Sequence, residues 1–303
     1  MSKLARVQMS PSGPSFSELV LGYWRMGDWE RTDQQHLGFL EQHLELGITT
    51  VDHAHVYGSN PSCEEMFGRA LKLAPALRDK IEIVSKCGIE LVAPNGPSVN
   101  HYDSSVGAII ESVETSLRRL GVDHLDALLI HRPDWLMDAD AVARAFEQLQ
   151  VAGKVSHFGV SNFTSSQFQL LQSRLDGSLI TNQIELNPLH LESIADGTLD
   201  YLQQVRVRPM AWSSLAGGRI FTALEQSARR VRKELEAISD ELGASSIDQV
   251  IYAWVRQLPS RPVVVLGSGN IDRIQSAIDS IKLTLSRDQW YRIWVASTGE
   301  GVP

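Results

Sequence analysis

The regular alternation of short apolar runs with longer amphipathic segments is the feature of this chain that most constrains its fold. The strand-like runs, which are rich in β-branched residues, are Leu19–Tyr23, Thr49–Ala54, Ile81–Gly88, Leu125–His131, Val155–Asn162, Leu179–Leu186, Arg208–Ser214 and Pro262–Ser268. The segments with helical periodicity cover 33–46, 62–73, 104–120, 139–152, 165–174, 192–205, 246–257 and 270–281. Because the strand-like runs are almost continuously apolar, we expect parallel strands that are covered on both faces.

A single α/β domain accounts for this rhythm better than two Rossmann halves do. About eight βα units follow one another without a Pro/Ser-rich linker or a shift in composition, so we predict one (β/α)8 TIM barrel over residues 1–303. Residues 5–17 contain a Pro/Gly turn and are expected to form an N-terminal hairpin that closes the bottom of the barrel. Residues 227–242 and 286–296 are expected to form extra helices.

Charge and cysteine content exclude several classes of protein. The 303 residues carry a formal net charge of −8, which argues against non-specific binding to nucleic acid or to anionic lipid. Two cysteines, Cys63 and Cys87, are too few for a disulfide framework. The chain begins without a signal-peptide pattern and has no apolar run near the roughly 18 residues of a spanning helix, so we expect a cytoplasmic protein.

Four polar residues end, or closely follow, three successive predicted strands. Asp52 ends the second strand, Tyr57 lies in the loop after it, Lys86 ends the third and His131 ends the fourth. Chemistry in such barrels is placed at the carboxyl ends of the strands. A buried ammonium is costly without a carboxylate, so Lys86 is expected to pair with Asp52. The ammonium is also expected to lower the pKa of the Tyr57 phenol, which would make Tyr57 a better acid near neutral pH.

These residues stand in sequence motifs that resemble the aldo-keto reductase family, in its bacterial cytoplasmic branch. The motifs are Asp-x-Ala-x-x-Tyr-Gly from Asp52, Val-Ser-Lys ending at Lys86, Ile-His-Arg-Pro around His131 and Gly-Val-Ser-Asn-Phe from Gly159. The resemblance implies reduction of a small-molecule carbonyl compound by hydride transfer from NADP(H). It further implies that Tyr57 gives the proton to the carbonyl oxygen and that His131 orients this oxygen.

The resemblance also predicts a cofactor site along the same strand ends, with no metal. Expected contacts near the nicotinamide and pyrophosphate are Gly22, Tyr23, Trp24, Asp52, Ser161, Asn162, Gln183, Trp212, Ser213, Leu215 and Gly217. Around the last strand, Gly267, Ser268, Gly269 and Asn270 precede a helix N-terminus that suits a phosphate. Arg273 is expected to bind the 2′-phosphate and to favour NADPH over NADH.

Two other functions are compatible with parts of the sequence. His53 and His55 form a His-x-His pair at a strand end, as in some metal-dependent barrel hydrolases, where His131, His157 and Lys86 would complete the site. A regulatory module that binds the cofactor with slow or no turnover is the non-enzyme alternative. His53 also departs from the Thr or Ser that the family often has after this Asp. The sequence leaves the substrate and the oligomeric state open.

Overall fold

The computed structural model describes residues 4–93 and 96–303 and contains a closed barrel of eight parallel strands. An antiparallel hairpin of β1 (Arg6–Gln8) and β2 (Ser15–Ser17) precedes the barrel. The barrel strands and the short pair between them are β3 (Leu19–Gly22), β4 (Thr50–Asp52), β5 (Glu82–Cys87), β6 (Ile89–Glu90), β7 (His101–Tyr102), β8 (Leu125–Ile130), β9 (Val155–Ser161), β10 (Asn182–Glu185), β11 (Met210–Trp212) and β12 (Val263–Leu266). In barrel order they run β10-β11-β12-β3-β4-β5-β8-β9, which confirms the predicted (β/α)8 barrel.

The helices follow the predicted segments closely. They are α1 (Asp33–Glu45), α2 (Cys63–Lys72), α3 (Val106–Leu120), α4 (Ala139–Val151), α5 (Ser165–Gln172), α6 (Glu192–Ala195), α7 (Thr198–Gln204), α8 (Arg219–Thr222), α9 (Gln226–Leu242), α10 (Ile247–Arg256), α11 (Ile271–Asp279) and α12 (Arg287–Thr298). Capping boxes at Thr32 and Ser62 fix the starts of α1 and α2, because each hydroxyl accepts a backbone N–H three residues later.

Three local features differ from the sequence prediction, and the first is the four-residue helix α8, which lies outside every predicted segment. The segment 192–205 forms two short helices rather than one, because Gly197 has a φ of 83° and interrupts the helical backbone. The pair β6 and β7 was not predicted, since strands of two residues leave no periodic pattern in the sequence.

The N-terminal hairpin supplies apolar side chains to a core that is separate from the main one. Phe16 and Met9 are fully buried and cluster with Val20, Val84 and Leu129 of the barrel strands. The larger core lies between the strands and the surrounding helices, as expected for strands that are apolar on both faces. The predicted hairpin is therefore confirmed, and the carboxyl ends of the strands form the opposite, polar end of the barrel.

In the described part of the chain, no helix is both long enough and apolar enough to cross a membrane.

Candidate active site

Lys86 is the centre of the polar cluster at the strand ends. Its buried Nζ donates to Asp52 Oδ2 at 2.7 Å, to the His53 backbone oxygen at 2.8 Å and to Tyr57 Oη at 3.0 Å. The three donors of the ammonium are thus all used. Burial alone would lower the pKa of Lys86, but the Asp52 carboxylate and Tyr57 outweigh it and the pKa is raised, which keeps this residue charged.

Both carboxylate oxygens of Asp52 accept hydrogen bonds. Its second oxygen, Oδ1, accepts a bond from Gln183 Nε2 at 2.7 Å, and both side chains are almost inaccessible to solvent. The paired carboxylate therefore has a fixed orientation toward Lys86. The predicted pair of Asp52 with Lys86 is present, whereas the bond from Gln183 was not foreseen.

The pKa of Tyr57 differs from the sequence expectation. Burial of the phenol raises its pKa, and the Lys86 ammonium lowers it by less, so the net shift is upward. The expected net lowering is wrong because the sequence does not reveal how deeply the phenol is buried. Tyr57 therefore keeps its proton at neutral pH, while Lys86 lies in position to stabilise the phenolate once that proton has left.

His131 faces Tyr57 edge to face, with 5.6 Å between the ring centroids. Burial, together with the charges of Lys86 and Arg132, lowers the pKa of His131 to about 2. The imidazole is therefore neutral and carries one N–H. Its Nδ1 is buried without a partner in the described residues, so Nε2 is the nitrogen that can reach a ligand.

A row of hydrogen-bonded polar groups continues from His131 around the barrel mouth, the end of the barrel where the strands have their carboxyl ends. Asn162 donates from Nδ2 to the His131 backbone oxygen at 3.3 Å and to Ser161 Oγ at 2.8 Å, and its Oδ1 accepts from Trp212 Nε1 at 3.1 Å. Ser161 in turn donates to the Gln183 backbone oxygen at 2.8 Å. The four residues predicted to surround a nicotinamide are thus brought together in one connected group.

Trp24 and Tyr23, at the end of β3, were both expected to contact the cofactor, but only the Trp24 side chain lies at the barrel opening. Trp24 is 60% exposed at the rim, 6.3 Å from the Tyr57 ring. Tyr23, by contrast, turns away from the mouth into the core, where its hydroxyl contacts His43 Nε2 at 3.0 Å. The side chain of Tyr23 is therefore not at the proposed cofactor site, and a Cβ on Gly22 would meet the Leu266 backbone oxygen at 3.2 Å.

The loops after β11 and β3 touch each other across the mouth. Arg25 lies within 3.5 Å of the Gly217 backbone oxygen, and the Ser213 backbone oxygen accepts a bond from Asn187 Nδ2 at 3.1 Å. Gly217 has a φ of 66°, which glycine adopts without strain. Leu215 begins the short turn that contains Gly217. Gly217, one of the residues predicted to lie along the pyrophosphate, is therefore beside the cation of Arg25, which the sequence did not point to.

In the loop after β12, contacts within the protein already use some of the backbone N–H groups and some of the space that a phosphate would need. Asn270 caps α11, because its Oδ1 accepts from the backbone N–H groups of Asp272 and Arg273, and Ser268 Oγ accepts from Asn270 N. Gly267 is open on its Cα side, whereas a Cβ on Gly269 would collide with the Trp29 ring at 2.6 Å. The side chain of Arg273 is exposed and available. Two N-terminal donors of α11 are thus already used, so a phosphate here depends more on side chains.

The His-x-His pair does not form a ligand set. His53 is fully buried between Tyr23 and Phe67, with ring centroids 5.0 and 4.6 Å away. His55 uses both ring nitrogens on the backbone oxygens of Lys86 and Ile89, each at 2.8 Å. Among residues 4–93 and 96–303, no group of three or more His, Cys, Asp or Glu side chains is arranged to hold a metal ion. The geometry thus gives the hydrolase alternative no support.

Fold and site define a barrel oxidoreductase, and comparison with known proteins identifies the family. A sequence model of the Aldo/keto reductase family matches residues 18–296. The chain therefore belongs to the aldo-keto reductase family, and the oxidoreductases among its relatives indicate an enzyme of that class. It is 54% identical over 298 residues to the oxidoreductase YdhF of Escherichia coli, covering 98% of this chain and 99% of that protein.

Other relatives and solved structures agree with this assignment. A 6-dehydroglucose reductase of Agrobacterium fabrum is 44% identical over 291 residues, with 94% of this chain and 96% of that protein covered. A glycerol dehydrogenase from Gluconobacter oxydans superposes with a TM-score of 0.83 at 23% identity, over 98% of this chain and 97% of its own. The thermostable aldo-keto reductase Tm1743, solved with the inhibitor epalrestat, gives a TM-score of 0.81 at 24% identity, with 97% and 100% covered. These two structures support the fold.

Proposed function

We propose that this protein reduces aldehydes or ketones to alcohols with NADPH in the cytoplasm, and that the chain of 1–303 does so as one domain. The observation that carries the proposal is the bond from the Lys86 ammonium to Tyr57 Oη at 3.0 Å, with Asp52 held on the other side of the ammonium. A phenol beside a fixed, buried cation can lose its proton to a substrate oxygen. The balance of the reaction is one hydride and one proton added to the carbonyl group, which leaves an alcohol and NADP⁺.

The residues at the mouth fit a nicotinamide cofactor. The Asn162 amide and the Ser161 hydroxyl lie together with the Gln183 backbone oxygen and the Trp212 indole, which offers an aromatic face, and such groups recognise a carboxamide on a flat ring. When bound, the cofactor supplies the hydride that adds to the carbonyl carbon. Arg273 is proposed to hold the 2′-phosphate, because its exposed guanidinium lies at the start of α11.

Tyr57 acts as the general acid. Its raised pKa keeps the phenol protonated in the resting enzyme, and the proton passes from Oη to the carbonyl oxygen as negative charge develops there. Lys86 stabilises the resulting phenolate, and Asp52 keeps Lys86 charged and in position. His131 is neutral, so it orients the carbonyl oxygen by donating from Nε2 rather than by supplying a proton of its own.

The names of the relatives narrow the substrate class. Two relatives are called 6-dehydroglucose reductases, the one from Agrobacterium fabrum that is 44% identical and one from Novosphingobium aromaticivorans that is 33% identical. We therefore include oxidised sugars among the carbonyl compounds to be tested.

The decisive experiment is a screen of NADPH oxidation against aldehydes, ketones, quinones and 6-dehydroglucose, with NADH as the comparison. We expect turnover of at least one carbonyl compound, faster with NADPH than with NADH. Absence of turnover with all of them, together with tight NADPH binding by fluorescence titration, would favour the regulatory module. Stoichiometric zinc in active protein, measured by mass spectrometry, would favour the hydrolase.

A further inference from the structure

One arginine at the mouth is not used by the fold or by the proposed mechanism. Arg132 follows His131 at the end of β8 and precedes Pro133, which restricts the Arg132 backbone to extended conformations. Its Cζ lies 5.6 Å from the centroid of the Trp212 ring, at the end of β11. Because β8 and β11 are not neighbours in the barrel, the side chain reaches across the mouth.

Among the described residues, no carboxylate forms an ion pair with the guanidinium of Arg132. Asp134, the acid closest to Arg132 in the sequence, uses both carboxylate oxygens in other hydrogen bonds. Its Oδ2 accepts from Ser104 N at 3.0 Å and from Ser104 Oγ at 2.7 Å, and its Oδ1 accepts from Leu136 N at 2.8 Å. Within the described ranges, Arg132 takes part in no ion pair and no side-chain hydrogen bond. Some other partly buried arginines are in ion pairs, such as Arg78 with Asp126 at 2.8 Å.

The charge of Arg132 acts on the two residues that would hold a carbonyl oxygen. After burial and the effect of Lys86, Arg132 is the next cause of the lowered pKa of His131, and it also acts to lower the pKa of Tyr57. The charge of Lys86 is paired with Asp52 at 2.7 Å, whereas Arg132 forms no ion pair in the described part of the chain. A guanidinium without an ion-pair partner among the described residues therefore lies within electrostatic reach of His131 and Tyr57.

We propose that Arg132 binds an anionic group of the substrate, so that the enzyme prefers carbonyl compounds that carry a carboxylate. This inference rests on the proposed function, since it concerns the same site. A planar guanidinium binds a carboxylate through two parallel N–H bonds, and its stacking on Trp212 holds the plane in a defined orientation. Recognition of this kind lowers KM and adds a salt dependence that neutral substrates do not show.

The test compares two aldehydes of similar size, 4-carboxybenzaldehyde and the neutral 4-nitrobenzaldehyde, with saturating NADPH. For Arg132→Gln we expect kcat/KM to fall roughly 10- to 100-fold with 4-carboxybenzaldehyde, mainly through KM. The value for 4-nitrobenzaldehyde is expected to change by less than about threefold on the same scale. Arg144→Gln, an exposed arginine on α4, is the matched control and leaves both substrates unaffected.

Three results would overturn the inference. These are an equal loss of kcat/KM with both aldehydes, a wild-type enzyme that does not prefer the anion, and a weaker affinity of Arg132→Gln for NADPH that accounts for the loss. Calorimetric titration with the alcohol product 4-(hydroxymethyl)benzoate measures anion binding without turnover. If the wild type turns over neither aldehyde but binds this product through Arg132, the anion site stands and the proposed function fails.

Discussion

Gln183 and Asp52 form a hydrogen bond through the barrel interior, from Nε2 to Oδ1 at 2.7 Å. Gln183 stands on β10 and Asp52 on β4, and these strands lie opposite each other in the eight-stranded ring. Gln183 belongs to the proposed nicotinamide wall, and Asp52 holds Lys86. The bond therefore connects the cofactor side of the site to the acid side, and changes on one side are expected to reach the other.

Replacing Gln183 by Met keeps the length of the side chain but removes this bond. Because the bond is made to a buried carboxylate, we expect the free energy of unfolding to fall by about 1.5–3 kcal/mol. We also expect kcat to fall, since Asp52 then holds Lys86 less firmly. Urea denaturation and steady-state kinetics measure both effects, with Gln203→Met on the exposed face of α7 as the control. An unchanged stability would show that the carboxylate finds another partner.

Tyr57→Phe removes the hydroxyl that Lys86 contacts at 3.0 Å. We expect kcat for carbonyl reduction to fall by about 10²–10⁴-fold, the usual contribution of acid–base catalysis. NADPH affinity, measured by fluorescence titration, stays close to the wild-type value because the phenol lies on the substrate side. Tyr102→Phe, on the exposed pair β6 and β7, is the matched control. A variant that keeps more than about a tenth of kcat would exclude Tyr57 as the acid.

Arg273→Ala tests the proposed cofactor preference. We expect the dissociation constant for NADPH to rise roughly 10- to 100-fold, and that for NADH to change little, because only NADPH carries the 2′-phosphate. Fluorescence titration with both cofactors measures this difference, and Arg229→Ala on the exposed face of α9 controls for loss of a surface charge. Equal weakening of both cofactors would show that Arg273 does not bind the 2′-phosphate.

The sequence predicted those features that depend on chain order and residue type. The alternation of apolar strand-like runs with amphipathic helical segments predicts the barrel. Because a buried lysine requires a carboxylate, the pair of Lys86 and Asp52 could also be predicted. The sequence could not reveal features that depend on distances between strands far apart in the chain. These include the bond from Gln183, the orientation of Tyr23 into the core, and the burial that raises rather than lowers the pKa of Tyr57.

His53 makes the stability of the protein dependent on pH. Burial, with a smaller effect of Lys86, lowers the pKa of His53 to about 3, and burial also lowers those of His43 and His131 to about 4 and about 2. The unfolded chain takes up protons near pH 6.5 while the folded protein does not, so stability is lost as the pH falls below about 6.5.

His53→Asn removes one of these groups. Between pH 8 and pH 5, we expect the loss of unfolding free energy to be smaller in this variant by on the order of 2 kcal/mol. Urea denaturation at a series of pH values gives the comparison, and the variant is referred to its own stability at pH 8, which corrects for any packing change. Parallel pH profiles for variant and wild type would show that His53 is not held neutral by the fold.

Two helical glycines allow a test of the packing around the site. Gly68 on α2 faces the end of α3, where an added Cβ would lie 2.2 Å from the Arg119 backbone oxygen. Gly38 on α1 has no neighbouring atom within 4 Å of the same position. We therefore expect Gly68→Ala to lower the free energy of unfolding by at least about 1–3 kcal/mol, because backbone must move. Gly38→Ala is expected to raise it by about 0.5–1 kcal/mol, since alanine favours helix.

The Gly68 substitution also affects the active site. Arg119 donates from Nη1 to the His55 backbone oxygen at 2.8 Å, and His55 contacts the Lys86 backbone oxygen at 2.8 Å. Separation of α2 from α3 therefore displaces the loop that carries Tyr57, and kcat is expected to fall together with the melting temperature. Gly38→Ala keeps the wild-type kcat. If Gly68→Ala were as stable and active as Gly38→Ala, the close approach of α2 to α3 would be wrong, and so would the path from Arg119 to Lys86.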